Sequence, residues 1–218
     1  MNTKEFTAFV KELKSLISTT FGDSIHLHGC QISEIVNLTD DELIIVKNAV
    51  ATRAYEFSAG RFCARKCLTK YQINDAQILR GRFGEPLWPG GYTGSITHHG
   101  DIALAVVTQK SVLKSIGIDF IPTNEVLEGS DLVFEESELA LIDKMLPNIN
   151  SELFIFSIKE AAIKICSPLL QDFINFKDIK LQKNNHGKIH LSHALIEQNI
   201  NVIWIILNGF IFSLATFE

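Results

Sequence analysis

Two acidic residues, one alone in an apolar segment and the other flanked by two lysines, set the strongest condition on how this chain folds. Asp119 directly follows the apolar residues 116–118, and this run predicts a buried strand. Glu160 lies in the segment 156–164, which predicts a helix with Glu160 and Lys164 on one face. Only tertiary folding can bring the two carboxylates together. If they meet, they form an oxygen site of the kind that Mg²⁺ uses, with lysines beside it to hold a phosphate, which indicates phosphate-transfer chemistry.

Each of these residues also has an ordinary structural interpretation. Glu160 and Lys164 are spaced as a surface ion pair, which contributes only a few tenths of a kcal/mol. Asp119 is either a cap at the end of a strand or a cation ligand, because an unpaired carboxylate would be costly to bury. Taken alone, these residues leave both alternatives open.

Composition excludes several classes of protein. The chain has 218 residues, 46% of them hydrophobic, so it can bury a large core in one domain or in two fused halves. Its formal net charge of −5 argues against general binding of nucleic acid. The first residues lack the basic and apolar regions of a signal peptide. Basic residues are concentrated between Arg53 and Arg82, which predicts that a small polyanion binds there.

The four cysteines contain no CxxC pair, so they favour reduced thiols in a cytoplasmic protein. Cys63 and Cys67 are one helical turn apart and are interpreted as core residues. Three histidines near the C-terminus, His186, His190 and His193, lack a cysteine or an acid to complete a zinc site. They are therefore assigned to a polar strand and turn.

The order of predicted elements indicates the fold class. Helices are predicted at 3–20, 135–146 and 151–165, and a capping box at Thr39 opens a helical region that runs to about Tyr71, with Ser58-Ala59-Gly60 as a candidate break. Strands are predicted at Ile96, at 102–107, around Asp119 and from about 176 to 218. Helix and then strands, occurring twice, predicts an α/β (α+β) protein of two similar halves, about 1–118 and 119–218.

The apolar residues 201–217 could be mistaken for a membrane span. They are divided by Asn208-Gly209, a strong signal for a two-residue hairpin turn, and the flanks are rich in β-branched and aromatic residues. The segment therefore predicts two buried strands and no transmembrane segment.

Two further groups suit phosphate binding. Thr97 and His98 lie at the end of a predicted strand, before a glycine that allows close backbone approach. Arg53, Arg61 and Arg65 lie along one broad side of their predicted helix. Solvated surface remains the alternative for each of these residues.

Taken together and in order, these segments resemble the phosphopantetheinyl transferases of the surfactin-synthetase type, most closely the enterobactin-synthetase branch. The matching pieces extend from about residue 30 to 180: they are 53–61 with Ala64-Arg65, 86–89, 94–98, 117–119, and 156–161 with Lys164. No single piece would suffice, and the resemblance depends on all of them falling in the family's order.

The resemblance implies a monomeric enzyme of two pseudo-symmetric halves, each a small sheet packed with helices, with coenzyme A in the cleft between them. The implied activity is that of a holo-[acyl-carrier-protein] synthase. The 4′-phosphopantetheine arm of coenzyme A moves onto a serine of an apo acyl or peptidyl carrier protein, with Mg²⁺ bound, and adenosine 3′,5′-bisphosphate is released.

The resemblance also implies roles for individual residues. Asp119 and Glu160 would bind Mg²⁺, and Glu160 would also act as base towards the carrier serine, directly or through a water. Lys164 would contact the pyrophosphate, and Lys159 would support the pyrophosphate or the carrier. The coenzyme A phosphates would be held by Thr97, His98, Arg53 and Arg61, the last at a position that varies in the family.

Two positions depart from the family's pattern. Many members have a third acid two residues after the aspartate, where this chain has Ile121, which cannot bind a cation. Phe156 replaces the usual tryptophan, a conservative apolar change. A non-catalytic module that binds coenzyme A or a carrier, and a Mg²⁺-dependent hydrolase of nucleotide pyrophosphates, are the competing hypotheses. Siderophore assembly of the enterobactin type is the favoured pathway, with nonribosomal peptide, polyketide and polyunsaturated fatty-acid pathways still open.

Overall fold

A computed structural model of the protein describes residues 1–33, 38–184 and 188–217. The helices are α1 (Thr3–Phe21), α2 (Asp40–Val46), α3 (Ala51–Leu68), α4 (Glu136–Met145) and α5 (Ser151–Leu170). Short 3-10 turns cover Gly22–Ser24, Thr69–Tyr71, Ser130–Leu132 and Phe176–Asp178. The strands are β1 (Ile25–Gln31), β2 (Tyr92–His99), β3 (Ile102–Gln109), β4 (Ser115–Pro122), β5 (Ile179–Lys183), β6 (Ile189–His193), β7 (Ile196–Leu207) and β8 (Phe210–Phe217).

The chain divides into two compact units, unit 1 (Met1–Ile116) and unit 2 (Gly117–Glu218). The predicted mixed class is confirmed, since each unit combines a small sheet with helices. The pseudo-symmetry of the two halves stays a prediction.

Unit 1 contains a three-stranded sheet in the order β1-β3-β2, in which β3 pairs antiparallel with both neighbours. The central strand is buried from Ile102 to Thr108 because it has a strand on either side and helix α3 against one face. Cys63 and Cys67 on α3 lie fully inside this core, as their spacing predicted. The sheet and α3 therefore pack on each other as two layers.

Unit 2 contains a five-stranded sheet in the order β4-β8-β7-β6-β5, with α5 packed against it. Strands β7 and β8 form the predicted hairpin, with Leu207 paired to Phe210. Its two turn residues, Asn208 and Gly209, have φ of 52° and 79°, which is the backbone of a type I′ turn. The predicted pair of strands is confirmed, but only β8 is buried, because β7 is buried at Ile200 and Val202 alone. In the described part of the chain, no helix is long and apolar enough to cross a membrane.

The structure corrects the predicted break in the long helical region. The capping box at Thr39 is present, but the chain leaves the helix after Val46 and starts again behind Val50, whose backbone is extended with ψ of 153°. Gly60 lies inside α3, where an added Cβ would come within 2.6 Å of Ile96 Cγ2. This glycine therefore permits close packing of a strand on the helix instead of breaking it.

Two other elements differ from prediction. Strand β1 was missed, although Ile25 and Leu27 are buried in the alternation that a half-buried strand shows. Helix α5 continues past Ile165 to Leu170, with Pro168 inside its last turn.

Candidate active site

Asp119 lies in the middle of β4 and not at its end, so a cap at a strand terminus does not describe it. Its neighbour Gly117 faces the same side of the strand, because side chains alternate along a strand. A Cβ at position 117 would overlap the backbone carbonyl oxygen of Ala161 on α5. The glycine thus lets the helix approach the strand closely and brings the turn that contains Glu160 towards Asp119.

Lys164 completes this contact between strand and helix. Its Nζ donates to Asp119 Oδ1 at 3.0 Å and to the carbonyl oxygen of Ile118 at 2.8 Å. The Asp119 side chain is only 10% exposed, whereas the Lys164 side chain is 27% exposed. The lysine therefore pairs with a buried carboxylate, while part of its own side chain reaches the surface of unit 2.

Glu160 is half-buried on α5, within electrostatic reach of both charged neighbours. Burial raises the pKa of the Glu160 carboxyl, the Lys164 ammonium opposes that shift, and the Asp119 carboxylate adds to it. A carboxylate whose charge is disfavoured in this way gains from a nearby cation, or from a proton, more than a solvated carboxylate does. The structure therefore brings together three of the predicted residues: Asp119, Glu160 and Lys164.

The donor set suits a Mg²⁺ ion that keeps some of its ligands as water or phosphate. Within residues 1–33, 38–184 and 188–217, no group of three or more histidine, cysteine or acidic side chains is placed to hold a metal ion. Two carboxylates are sufficient for Mg²⁺, which is usually bound by one or two together with substrate phosphates. Ile121, at the position of the third acid, is 5% exposed and belongs to the hydrophobic core of unit 2.

Lys159 lies apart from this cluster, although it precedes Glu160. Its side chain is fully buried, and its Nζ donates to Glu138 Oε2 at 2.7 Å and to the carbonyl oxygen of Val133 at 2.9 Å. Burial lowers the pKa of Lys159, and the hydrogen bond from its ammonium to Glu138 opposes that shift. The predicted contact of Lys159 with phosphate stays a prediction, and the buried ion pair favours a structural role.

Two of the phosphate-binding candidates in unit 1 come together at the start of α3. Arg53 Nη1 lies 2.7 Å from His98 Nε2 and 3.0 Å from Glu56 Oε2. Since arginine only donates, Nε2 of the His98 ring accepts this hydrogen bond. The proton of a neutral His98 ring is therefore on Nδ1, and Nδ1 lies 3.7 Å from Glu56 Oε2. The Arg53 side chain is 48% exposed, so its guanidinium can also reach an anion from solvent. Thr97 precedes His98 on β2 and is buried.

The predicted binding residue Arg61 does not join this group. Arg61 is 6% exposed, its guanidinium stacks on Phe57, and it donates to the carbonyl oxygens of Ile78 and Leu79. Burial lowers the pKa of Arg61 to about 10, which still leaves it charged at neutral pH. Its role as a phosphate ligand stays a prediction.

Sequence reasoning did not predict which acidic residues pair with the basic ones. Glu56 contacts the phosphate-binding candidate Arg53. Glu138 is the third helical residue of a capping box at Glu135, a signal that the sequence carries. His190 and His193 lie on β6, as predicted, and His186 falls outside the described residues.

Comparisons with known proteins agree on one family. A model described as "4'-phosphopantetheinyl transferase N-terminal domain" matches residues 40–108, and one described as "4'-phosphopantetheinyl transferase superfamily" matches residues 115–212. The first covers the segment with Arg53 and His98, and the second covers the segment with Asp119, Glu160 and Lys164. The chain belongs to the 4′-phosphopantetheinyl transferase superfamily.

Curated relatives support the same conclusion. The 4′-phosphopantetheinyl transferase PptT of Mycobacterium tuberculosis is 34% identical over 63% of this chain and 62% of its own length. The 4′-phosphopantetheinyl transferase Svp of Streptomyces mobaraensis is 32% identical over 66% of this chain and 60% of its own length. Enterobactin synthase component D of Salmonella typhimurium is 27% identical over 73% of this chain and 70% of its own length. The chain thus spans about 60% of the first two relatives it matches.

Proposed function

We propose that this protein transfers the 4′-phosphopantetheine arm of coenzyme A to a serine hydroxyl of an apo acyl or peptidyl carrier protein, with Mg²⁺ bound. The observation that carries the proposal is the contact of Lys164 with Asp119 beside the half-buried Glu160. Membership of the superfamily supports the reaction class, and the three side chains supply the charges that the reaction needs.

Each residue of the cluster has a defined task. Asp119 and Glu160 would hold Mg²⁺, which when bound supplies positive charge to the phosphate oxygens. Lys164 would leave or share its contact with Asp119 to neutralise charge that grows on the departing bisphosphate. Glu160 would accept the proton of the carrier serine, directly or through a water, and its raised pKa makes it a stronger proton acceptor.

The cluster in unit 1 would bind coenzyme A. Arg53 and His98 present donors at the exposed end of α3, and Arg guanidinium is suited to bidentate contact with phosphate. The role of Thr97 rests on the family resemblance alone, because Thr97 is buried and faces the other side of β2 from His98. Glu56 would hold Arg53 in place between binding events, since it contacts the same nitrogen that reaches His98.

Intact mass of carrier proteins tests the proposal directly. Several purified apo carriers, from siderophore, nonribosomal peptide and polyketide assembly, are incubated with the protein, coenzyme A and Mg²⁺, with EDTA as the control. A gain of one phosphopantetheine on a carrier, lost with EDTA, is expected. Siderophore carriers are expected to react fastest, since one relative is an enterobactin synthase component.

Variants distinguish this reaction from the competing hypotheses. Asp119→Asn should abolish most of the transfer, whereas the exposed Glu197→Gln in the same unit should not. Binding of coenzyme A without transfer to any carrier, and without any effect of Mg²⁺, would instead identify a non-catalytic binding module. Release of phosphopantetheine from coenzyme A in the absence of a carrier would identify a hydrolase.

A further inference from the structure

Two cysteines of unit 1, far apart in sequence, are in direct contact. Cys30 on β1 and Cys63 on α3 are 33 residues apart, and their Sγ atoms are 3.4 Å from each other. Neither residue belongs to the charged clusters described above. Because α3 packs across the sheet of unit 1 and reaches β1, the fold itself holds the two sulfurs together.

The surroundings give the two thiols different roles. Cys63 is fully buried, and its Sγ lies 3.4 Å from the Cys30 sulfur and 3.5 Å from the carbonyl oxygen of Ala103, so its single S–H can donate to either. Cys30 is only partly buried, and its sulfur also lies 3.8 Å from the carbonyl oxygen of Ala59, one helical turn before Cys63. Of the two residues, Cys30 is therefore the more accessible to a small oxidant, with Cys63 behind it as the second thiol.

Electrostatics agree with this division. The hydrogen bond from Cys63 lowers the pKa of Cys30, and the same bond raises the pKa of Cys63, which burial raises further. Burial raises the pKa of Cys67 and of Cys166 to about 12. The thiolate, which is the reactive form of cysteine, is thus favoured at Cys30 over the other three thiols.

We propose that Cys30 and Cys63 form an oxidation site, at which a peroxide converts the two thiols into a reversible intramolecular disulfide. The Cys30 thiolate attacks one peroxide oxygen and the O–O bond breaks, which gives a sulfenic acid at Cys30 and releases hydroxide from hydrogen peroxide or an alkoxide from an organic peroxide. The released base takes up a proton, equivalent to the one that the Cys30 thiol gave to solvent, and leaves as water or an alcohol. The Cys63 thiol then displaces hydroxide from the Cys30 sulfur, and the S–S bond forms with loss of water. The two thiols lose two electrons in total, and the peroxide gains them.

The required movement is small. A disulfide has an S–S length of about 2.05 Å, so the two sulfurs must approach by roughly 1.4 Å, shared between two side chains. The product joins β1 to α3 and closes a loop that contains α2 and the buried Glu42. Reduction by a dithiol restores the starting state, which makes the site reversible.

Peptide mapping of the wild-type protein tests the proposal. The reduced protein is treated with hydrogen peroxide in slight excess, the remaining thiols are alkylated, and the protein is digested without reduction. We expect a Cys30–Cys63 cross-linked peptide, alkylation only at Cys67 and Cys166, and full recovery of four alkylated thiols after dithiothreitol. Four alkylated thiols after peroxide, or a cross-link between Cys63 and Cys67, would overturn the proposal.

Variants separate the two steps of the oxidation. In Cys63→Ala, Cys30 should still react with peroxide, and dimedone should then add to its sulfenic acid. In Cys30→Ala, thiol loss should slow by at least about tenfold, because the favoured thiolate is gone. Cys67→Ala, one turn further along the same helix, is the matched control and should form the disulfide at the wild-type rate. Dimedone labelling of another cysteine, or an unchanged rate in Cys30→Ala, would contradict the proposal.

Discussion

Each of the two units holds its long helix with a buried glutamate from the short helix before it. In unit 1, Glu42 of α2 is fully buried. Its carboxylate accepts from Arg65 Nη1 at 2.8 and 2.9 Å and from the backbone N–H of Ile78 at 2.8 Å. It also closes the capping box on Thr39. One carboxylate thus ties together a helix start, the long helix α3 and the chain after it.

Unit 2 repeats this arrangement with other residues. Glu138 of α4 accepts from Lys159 Nζ at 2.7 Å, from the backbone N–H of Leu181 at 2.8 Å and from the N–H of Glu135 at 3.0 Å. The cation again comes from the long helix, here α5, and the amide from the segment after that helix. The same three kinds of partner therefore satisfy both carboxylates.

The units differ in the residues that come after this cation on the long helix. In unit 1 Arg65 is followed by Lys66, whose ammonium lies over the Phe62 ring. In unit 2 Lys159 is followed by Glu160, and Lys164 comes one turn later in contact with Asp119. The shared ion pair belongs to the fold, whereas the Asp119, Glu160 and Lys164 cluster lies apart from that pair in unit 2. This comparison favours a structural interpretation of Lys159, in spite of its place in a motif that resembles an active site.

The largest effect is expected from removal of the cation in unit 2. Lys159→Met leaves the Glu138 carboxylate buried without its ion partner, and this should lower the free energy of unfolding by about 3–5 kcal/mol. Urea unfolding measures the change, and Arg65→Met is the matched variant in unit 1. The double variant Glu138→Gln/Lys159→Met should recover part of the loss, because it removes the unpaired charge and keeps an amide oxygen that accepts from a backbone N–H. A stable Lys159→Met protein that binds coenzyme A weakly would instead assign Lys159 to the phosphate site.

Removal of the negative charge of Asp119 should lower the turnover of the enzyme. Asp119→Asn keeps the shape of the side chain but removes the charge that Lys164 contacts, so we expect kcat for carrier modification to fall by about 10²–10³-fold. Mass spectrometry of the carrier at fixed times measures the rate. A rate within a factor of about three of the wild type would separate Asp119 from the reaction.

Two glycines sharpen the comparison between the units, since each lies where a helix meets a strand. At Gly117 an added Cβ meets the helix backbone at Ala161, so Gly117→Ala should cost about 1–3 kcal/mol of stability and displace Glu160. At Gly60 it meets the side chain of Ile96, and the better helix propensity of alanine offsets about 1 kcal/mol of the strain. The midpoint temperature of thermal unfolding should therefore be lower for Gly117→Ala than for Gly60→Ala. The reverse order would contradict the close approach of α5 to β4 at Gly117.

The smallest effect is expected from the titration of Glu160. The pKa of Glu160 is raised in the folded state, so the folded protein binds more protons than the unfolded chain. The resulting stabilisation is present below the ordinary pKa of 4.5 and is lost as pH rises through the raised pKa of the folded state. Glu160→Gln should therefore be more stable than wild type at neutral pH, and the difference should disappear near pH 4. Urea unfolding at several pH values measures this, and a variant that is less stable at pH 7 would reverse the assigned direction.

Local signals predicted much of the fold. The hairpin at Asn208-Gly209 and the helix start at Thr39 were correct, because a positive φ and a capping box are set by neighbours in sequence. The meeting of Asp119 with the helix that carries Lys164 was also anticipated, since Asp119 lies in an apolar strand where its burial needs an explanation.

The inward or outward direction of basic side chains could not be predicted in the same way. Helix α5 is buried over most of its surface, so periodicity does not separate Lys159, which points inward, from Lys164, which is partly exposed. Arg61 finds its partners in the carbonyl oxygens of Ile78 and Leu79, which have no side-chain signature. Such choices depend on long-range packing, and only the three-dimensional structure supplies it.

The paired glutamates have a consequence for how each unit can be observed in solution. The amides of Ile78 and Leu181 donate to buried carboxylates, so each exchanges with solvent only when its ion pair opens. The hydrogen-exchange rates of these two amides therefore report the opening of the ion pair in unit 1 and in unit 2 separately. A ligand that stabilises only one unit would slow exchange at one amide and leave the rate at the other unchanged.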